Sequence, residues 1–105
     1  MDKKLTDTIN RYIIKAGNLN PGLLKAYIFG SYAKNKQRPE SDIDIALIWE
    51  EMNEADKFDF QVQLIILAAQ FDSRIEPHPL SKTDFNINNP FTDEIKRNGI
   101  EIPLV

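Results

Sequence analysis

The chain has 105 residues, enough for one domain spanning 1–105 around one core. Hydrophobic residues make up 42% and charged residues 28%, the balance of a globular protein. There is no cysteine for a disulfide framework or a thiolate metal site. A net charge of −3 and a pI of about 5.1 argue against a nucleic-acid binder. No apolar run is long enough to span a bilayer and the N-terminus is not a signal peptide, so the default expectation is a cytoplasmic protein.

Leu5, Ile9, Tyr12, Ile13 and Ala16 recur at helical spacing and predict a helix over Leu5–Ala16, with Gly17 ending it. Asn20-Pro21-Gly22 is a turn signal. Leu24–Phe29 reads as a first strand, Ser31–Gln37 as a short helix ended by Arg38-Pro39-Glu40, and Asp42–Trp49 as a second strand. After a polar break at 50–53, Glu54–Phe71 reads as the longest helix. It carries two apolar stripes: Phe58, Val62, Ile65, Ile66 and Ala69, and Phe60, Leu64, Leu67 and Phe71. At about 100° per residue these lie on nearly opposite faces. The second face is either covered by the N-terminal helix or exposed to a partner. Ser73–His78 reads as a third strand closed by Pro77 and Pro79, with Arg74, Glu76 and His78 on one face opposite Ile75. Ser81 caps a turn around Lys82–Phe85. Asn88-Asn89-Pro90 opens a last helix that Gly99 ends, and Ile100, Ile102 and Leu104 alternate as an edge strand limited by Pro103. There are no internal repeats and no linker.

The chemistry concentrates in the two apolar runs around Gly30-Ser31 and Ser41-Asp42-Ile43-Asp44. Side chains at i and i+2 of a strand share a face, roughly 6.6 Å apart along the chain. Asp42 and Asp44 therefore point together, while Ile43, Ile45 and Leu47 point into a core. Paired carboxylates repel one another and favour protonation, a cost that a divalent cation removes. Mg²⁺ is held by one or two carboxylates plus substrate phosphates. Gly30-Ser31 offers the complementary half: a close backbone approach and free N–H groups where a strand gives way to a helix. Gly-Ser alone is usually a turn, and Asp-x-Asp alone a solvated strand edge. Their order on two successive apolar runs points to phosphate chemistry instead. A calcium loop fails because Ala46 and Leu47 stand where a third oxygen ligand and a glycine are needed. A Walker loop fails for want of Gly-Lys-Ser/Thr.

Gly30-Ser31-Tyr32-Ala33-Lys34-Asn35 followed by Ser41-Asp42-Ile43-Asp44 resembles the minimal nucleotidyltransferase family, small relatives of the DNA polymerase beta-type fold. Lys34 replaces that family's usual Arg and Asn35 its usual Gly. Lys keeps the charge without the bidentate fork, and Asn tolerates positive φ. The resemblance implies an α/β chain of the α+β two-layer kind, a mixed twisted β-sheet with helices packed on it. It implies Mg²⁺-dependent transfer of a nucleotide, AMP from ATP, to a hydroxyl acceptor. Gly30, Ser31 and Lys34 would bind the nucleotide. Asp42, Asp44 and a third carboxylate would be catalytic and hold two ions about 3.5–4 Å apart, as in other two-metal sites. Glu76 fits the third position best, although the family often has Asp there; Asp72 and Asp84 are the fallback candidates.

His78 could touch a phosphate, a metal or an acceptor, though a histidine between two prolines is more often simply exposed. Arg38 is a weaker phosphate candidate than Lys34, and Trp49 and Tyr27 read as core. Little of the chain is left to grip a large acceptor. By resemblance the partner is a helical HEPN-type toxin that the chain neutralises by adenylylation. The alternatives are a small-molecule nucleotidyltransferase working alone and a non-catalytic toxin-binding antitoxin. A homo-oligomer stays open, and neither membrane nor nucleic acid is expected as a partner.

Overall fold

The computed structural model describes residues 2–104. A central mixed sheet organises the chain. Its strands are β1 (Leu23–Phe29), β2 (Ile43–Trp49), β3 (Ile75–Ser81) and β4 (Ile100–Ile102), in the order β3-β2-β1-β4. β1 runs antiparallel to both β2 and β4, and β2 runs parallel to β3. The parallel pair needs a crossover, which the helix α2 (Lys57–Ala69) supplies after a 3₁₀ turn at Glu54–Asp56.

Strand alternation gives the sheet two unequal faces. Ile43, Ile45, Leu47 and Trp49 of β2 point to the larger core with Ala26 and Ile28, as their spacing predicts. That face is covered by α1 (Lys3–Leu19) through Ile9, Tyr12, Ile13 and Ala16, and by α2 through Leu64 and Ala68. The Tyr12 hydroxyl donates to the Leu64 carbonyl at 3.0 Å, tying the two helices together, and burial pushes its pKa up. Trp49 packs edge-on against Phe60, and its indole N–H donates to the Asn20 carbonyl at 2.8 Å. The opposite face carries a smaller core of Phe29, Ala46, Ile48 and Ile95, joined by Tyr27, Leu80 and Phe85. It lies under α3 (Lys82–Phe85) and α4 (Pro90–Asn98). Asn89 caps α4 with Pro90 at its first turn, and Ser81 caps α3, both where the sequence signals them.

Several boundaries depart from the sequence reading, and the longest helix is α1 with 17 residues, not α2 with 13, which follows the 3₁₀ turn. α1 runs through Gly17 to Leu19, because a helical glycine costs only about 1 kcal/mol. Residues 31–37 form successive turns, not a helix: their bonds mix Lys34 N–H to Gly30 O with Lys36 N–H to Ser31 O, and Asn35 adopts φ 56°. β2 begins at Ile43, leaving Asp42 just outside it. β3 continues through Pro77 and Pro79 to Ser81, since on an edge strand every second N–H faces away from the ladder.

The double-faced α2 resolves in one direction. Phe60, Leu64, Leu67 and Phe71 pack on the sheet, whereas Phe58, Val62, Ile65 and Ile66 are exposed, Phe58 by 76% and Ile66 by 60%. α1 lies beside α2 on the same sheet face and leaves that outer stripe uncovered.

Candidate functional site

Strand register assembles the acidic groups. Phe29 of β1 stands opposite Asp44 of β2, and Asp44 opposite Glu76 of β3. One row across three strands thus ends in two carboxylates. Two residues on, His78 pairs with Ala46, whose small side chain leaves the imidazole free to lean diagonally toward Asp44. Its Nε2 lies 3.2 Å from Asp44 Oδ1 and 3.9 Å from Glu76 Oε1. Phe29 and Phe91 flank the ring at centroid distances of 5.0 and 5.6 Å. Asp42 is exposed and precedes the strand, and its carboxyl helps push the Glu76 pKa up.

Partial burial and the neighbouring carboxyls of Asp42 and Asp44 together raise the Glu76 pKa; His78 acts in the opposite sense. A carboxyl beside two others favours its proton for want of a cation. One ligand atom from each of Asp44, Glu76 and His78 lies within 4.8 Å of the others, so the donor set fits a divalent ion.

Gly30 closes the site from the β1 side with φ 74°, and a Cβ there would run into the Asp44 carboxylate. Glycine is required twice over, by conformation and by the close approach. Ser31 follows it, half-buried, at the start of the turns and not at a helix N-terminus. Ser41 closes the loop: its Oγ accepts from the Arg38 N–H at 2.8 Å.

Lys34 points to α4, where Nζ meets Glu94 Oε1 at 2.7 Å and holds that carboxyl below its ordinary range, helped by Asn98. Neither fallback carboxylate joins the cluster. Asp72 is gripped in a fork by Arg74 at 3.0 and 2.7 Å, which lowers its pKa, and Asp84 faces Lys57 at 3.7 Å. Arg38 is exposed, Trp49 is core, and Tyr27 stacks on Phe85.

Arg74 holds a position that the sequence reading assigned only to a strand face. Besides Asp72, its guanidinium donates to the Tyr32 hydroxyl at 3.0 Å and the Pro39 carbonyl at 3.2 Å. It thereby braces both ends of the loop that carries Ser31 and Lys34. Its partners come from a distant loop, and no local pattern announces them.

Residues 11–103 match the family model described as "Polymerase beta, Nucleotidyltransferase". No curated protein matches the chain in sequence. Among solved structures, the fold resembles that of a toxin-antitoxin with AMP-PNP, with 23% identity, TM-score 0.63, and coverage of 91% of this chain and 73% of that one. It also resembles a Sulfolobus solfataricus protein described as a candidate nucleotidyltransferase, with 20% identity, TM-score 0.62, and 91% and 77% coverage. A third is a tri-AMPylated Shewanella oneidensis HEPN toxin in complex with MNT antitoxin, with 20% identity, TM-score 0.61, and 95% and 73% coverage. At these identities the likeness is one of fold. The family match covers nearly the whole chain, including the Gly-Ser turn and the three strands that bring its carboxylates together, and the chain therefore belongs to the polymerase beta-type nucleotidyltransferases.

Proposed function

We propose that the chain transfers AMP from MgATP to a hydroxyl of a helical, HEPN-type protein partner and thereby neutralises it. The observation that carries the transferase reading is the convergence of Asp42, Asp44 and Glu76 on one edge of the sheet beside the Gly30 turn. The partner reading is supported by the toxin-antitoxin structures of similar fold and by the uncovered apolar stripe of α2.

The geometry supports the following roles. Ser31 and the N–H groups of the turn hold the β- and γ-phosphates. Asp42 and Asp44 would hold Mg²⁺ together with the triphosphate, and Asp44 with Glu76 would hold a second ion. Such ions neutralise charge on the α-phosphate and on the departing pyrophosphate. The acceptor oxygen bonds to the α-phosphorus as the bond to the β-phosphate oxygen breaks. The acceptor's proton passes to Glu76. Lys34 reaches a phosphate only by leaving Glu94.

The test is incubation with ATP, Mg²⁺ and a helical, HEPN-type protein, followed by mass spectrometry of that protein. AMP addition that disappears in Asp44→Ala supports the reading. Transfer retained by Asp44→Ala would sink the metal assignment. Turnover on small hydroxyl compounds without a protein would make the chain a stand-alone enzyme. Neutralisation of the partner without AMP addition would make it a binding antitoxin.

A further inference from the structure

We propose that His78 is a ligand of the ion held by Asp44 and Glu76, and that this mixed nitrogen–oxygen centre prefers Mn²⁺ and related transition ions to Mg²⁺. The cation role of the cluster is that of the proposed function and rests on it; what His78 adds is a choice among cations.

Three observations converge. The first is aim: Nε2 stands 3.2 Å from Asp44 Oδ1 and 3.9 Å from Glu76 Oε1. Ligands bound at about 2.1 Å at right angles lie about 3 Å apart, so small side-chain movements bring all three atoms onto one ion. The second is support. The ring packs T-shaped with Phe29 and tilted against Phe91, and β3 carries a proline on either side of it, Pro77 and Pro79, both buried. Fixed φ at those prolines limits how far the strand can carry the imidazole away. The third is isolation. The ion-pair partners of His78 among the described residues are Asp44 and Glu76, the same groups that need a cation.

The donor set then decides the preference. Mg²⁺ favours oxygen ligands in near-ideal octahedral geometry. Imidazole nitrogen suits first-row transition ions, and carboxylates also accept Mn²⁺. A centre with two carboxylates and one imidazole discriminates against Mg²⁺, whereas the Asp42–Asp44 position, shared with phosphate oxygens, does not.

The experiment uses the whole chain without nucleotide or partner, titrated with Mn²⁺ and then with competing Mg²⁺, at fixed pH. Pulsed electron paramagnetic resonance reads nitrogen bonded to Mn²⁺, and calorimetry reads affinity. The wild type is expected to show coupling to a directly bound ¹⁴N. His78→Ala is expected to lose it, and to lose Mn²⁺ affinity by at least the roughly 10–100-fold that follows removal of a ligand's own hydrogen-bond partner. Mg²⁺ affinity is expected to change far less. His78→Gln, which keeps a donor toward Asp44, is expected to behave like His78→Ala. Absence of ¹⁴N coupling overturns the proposal, as does an unchanged Mn²⁺/Mg²⁺ ratio in His78→Ala. Full Mn²⁺ affinity in His78→Gln overturns it too, since His78 would then only orient Asp44. If the variants unfold, the wild-type nitrogen coupling decides alone. Nitrogen-coupled Mn²⁺ in a protein that transfers nothing would sink the transferase reading and leave this one standing. Transfer with no nitrogen coupling would do the reverse.

Discussion

Gly30→Ala tests the closure of the site most directly. Two costs add. Alanine at φ 74° occupies the left-handed region, at about 1–2 kcal/mol. Its Cβ also meets the Asp44 carboxylate, which must swing away from Glu76 and His78. For a domain of this size each kcal/mol lowers Tm by about 4–8 °C, so the backbone part alone predicts a fall of roughly 4–16 °C. The collision is isolated by a double-mutant cycle with Asp44→Ala. That change removes the atoms in conflict and leaves the Asp44 Cβ at 3.6 Å, an ordinary contact. Thermal unfolding of the four proteins in chelator should show Gly30→Ala costing distinctly less in the Asp44→Ala background. An equal cost in both backgrounds would mean that the glycine is needed for its backbone alone. No cost in either would refute the left-handed turn.

In Glu76→Gln, metal-free stability should gain on the wild type as pH rises from the acid range to neutral. A carboxyl with a raised folded-state pKa stabilises below its unfolded pKa and loses that contribution as pH rises through the folded one. Added Mn²⁺ or Mg²⁺ should reverse the order, and melts at several pH values with and without the ion check both. Arg74→Lys should cost only about 1 kcal/mol, because the pair is partly exposed, but it should release the loop. Hydrogen exchange should rise over residues 31–41 and stay unchanged in the central strands. Phe58→Ser with Ile66→Ser should change stability by no more than about 0.5 kcal/mol each, as exposed positions do. Co-purification should show the partner complex weakened; an intact complex would remove the α2 stripe from the interface.

Local rules were sufficient for much of this chain. Alternation placed Ile43, Ile45 and Leu47 in the core, Asn89-Pro90 and Ser81 opened their helices, and Gly30 was read as the residue that lets the backbone approach closely. These signals act within a few residues, so they survive without knowledge of neighbours. Gly17 and the prolines of β3 misled because propensity is worth about 1 kcal/mol, less than the packing that overrides it and irrelevant on an open edge. The turns after Gly30 replaced a helix because one residue in the left-handed region ends helical repetition. Other features had no local signature at all. The parallel register of β2 and β3 sets Glu76 beside Asp44 and lets His78 reach it, while Asp72 is taken by Arg74. Which face of α2 met the sheet was likewise undecidable from two equivalent apolar stripes. Only the position of α1, fixed by Tyr12 reaching the Leu64 carbonyl, left the Phe58–Ile66 stripe facing outward.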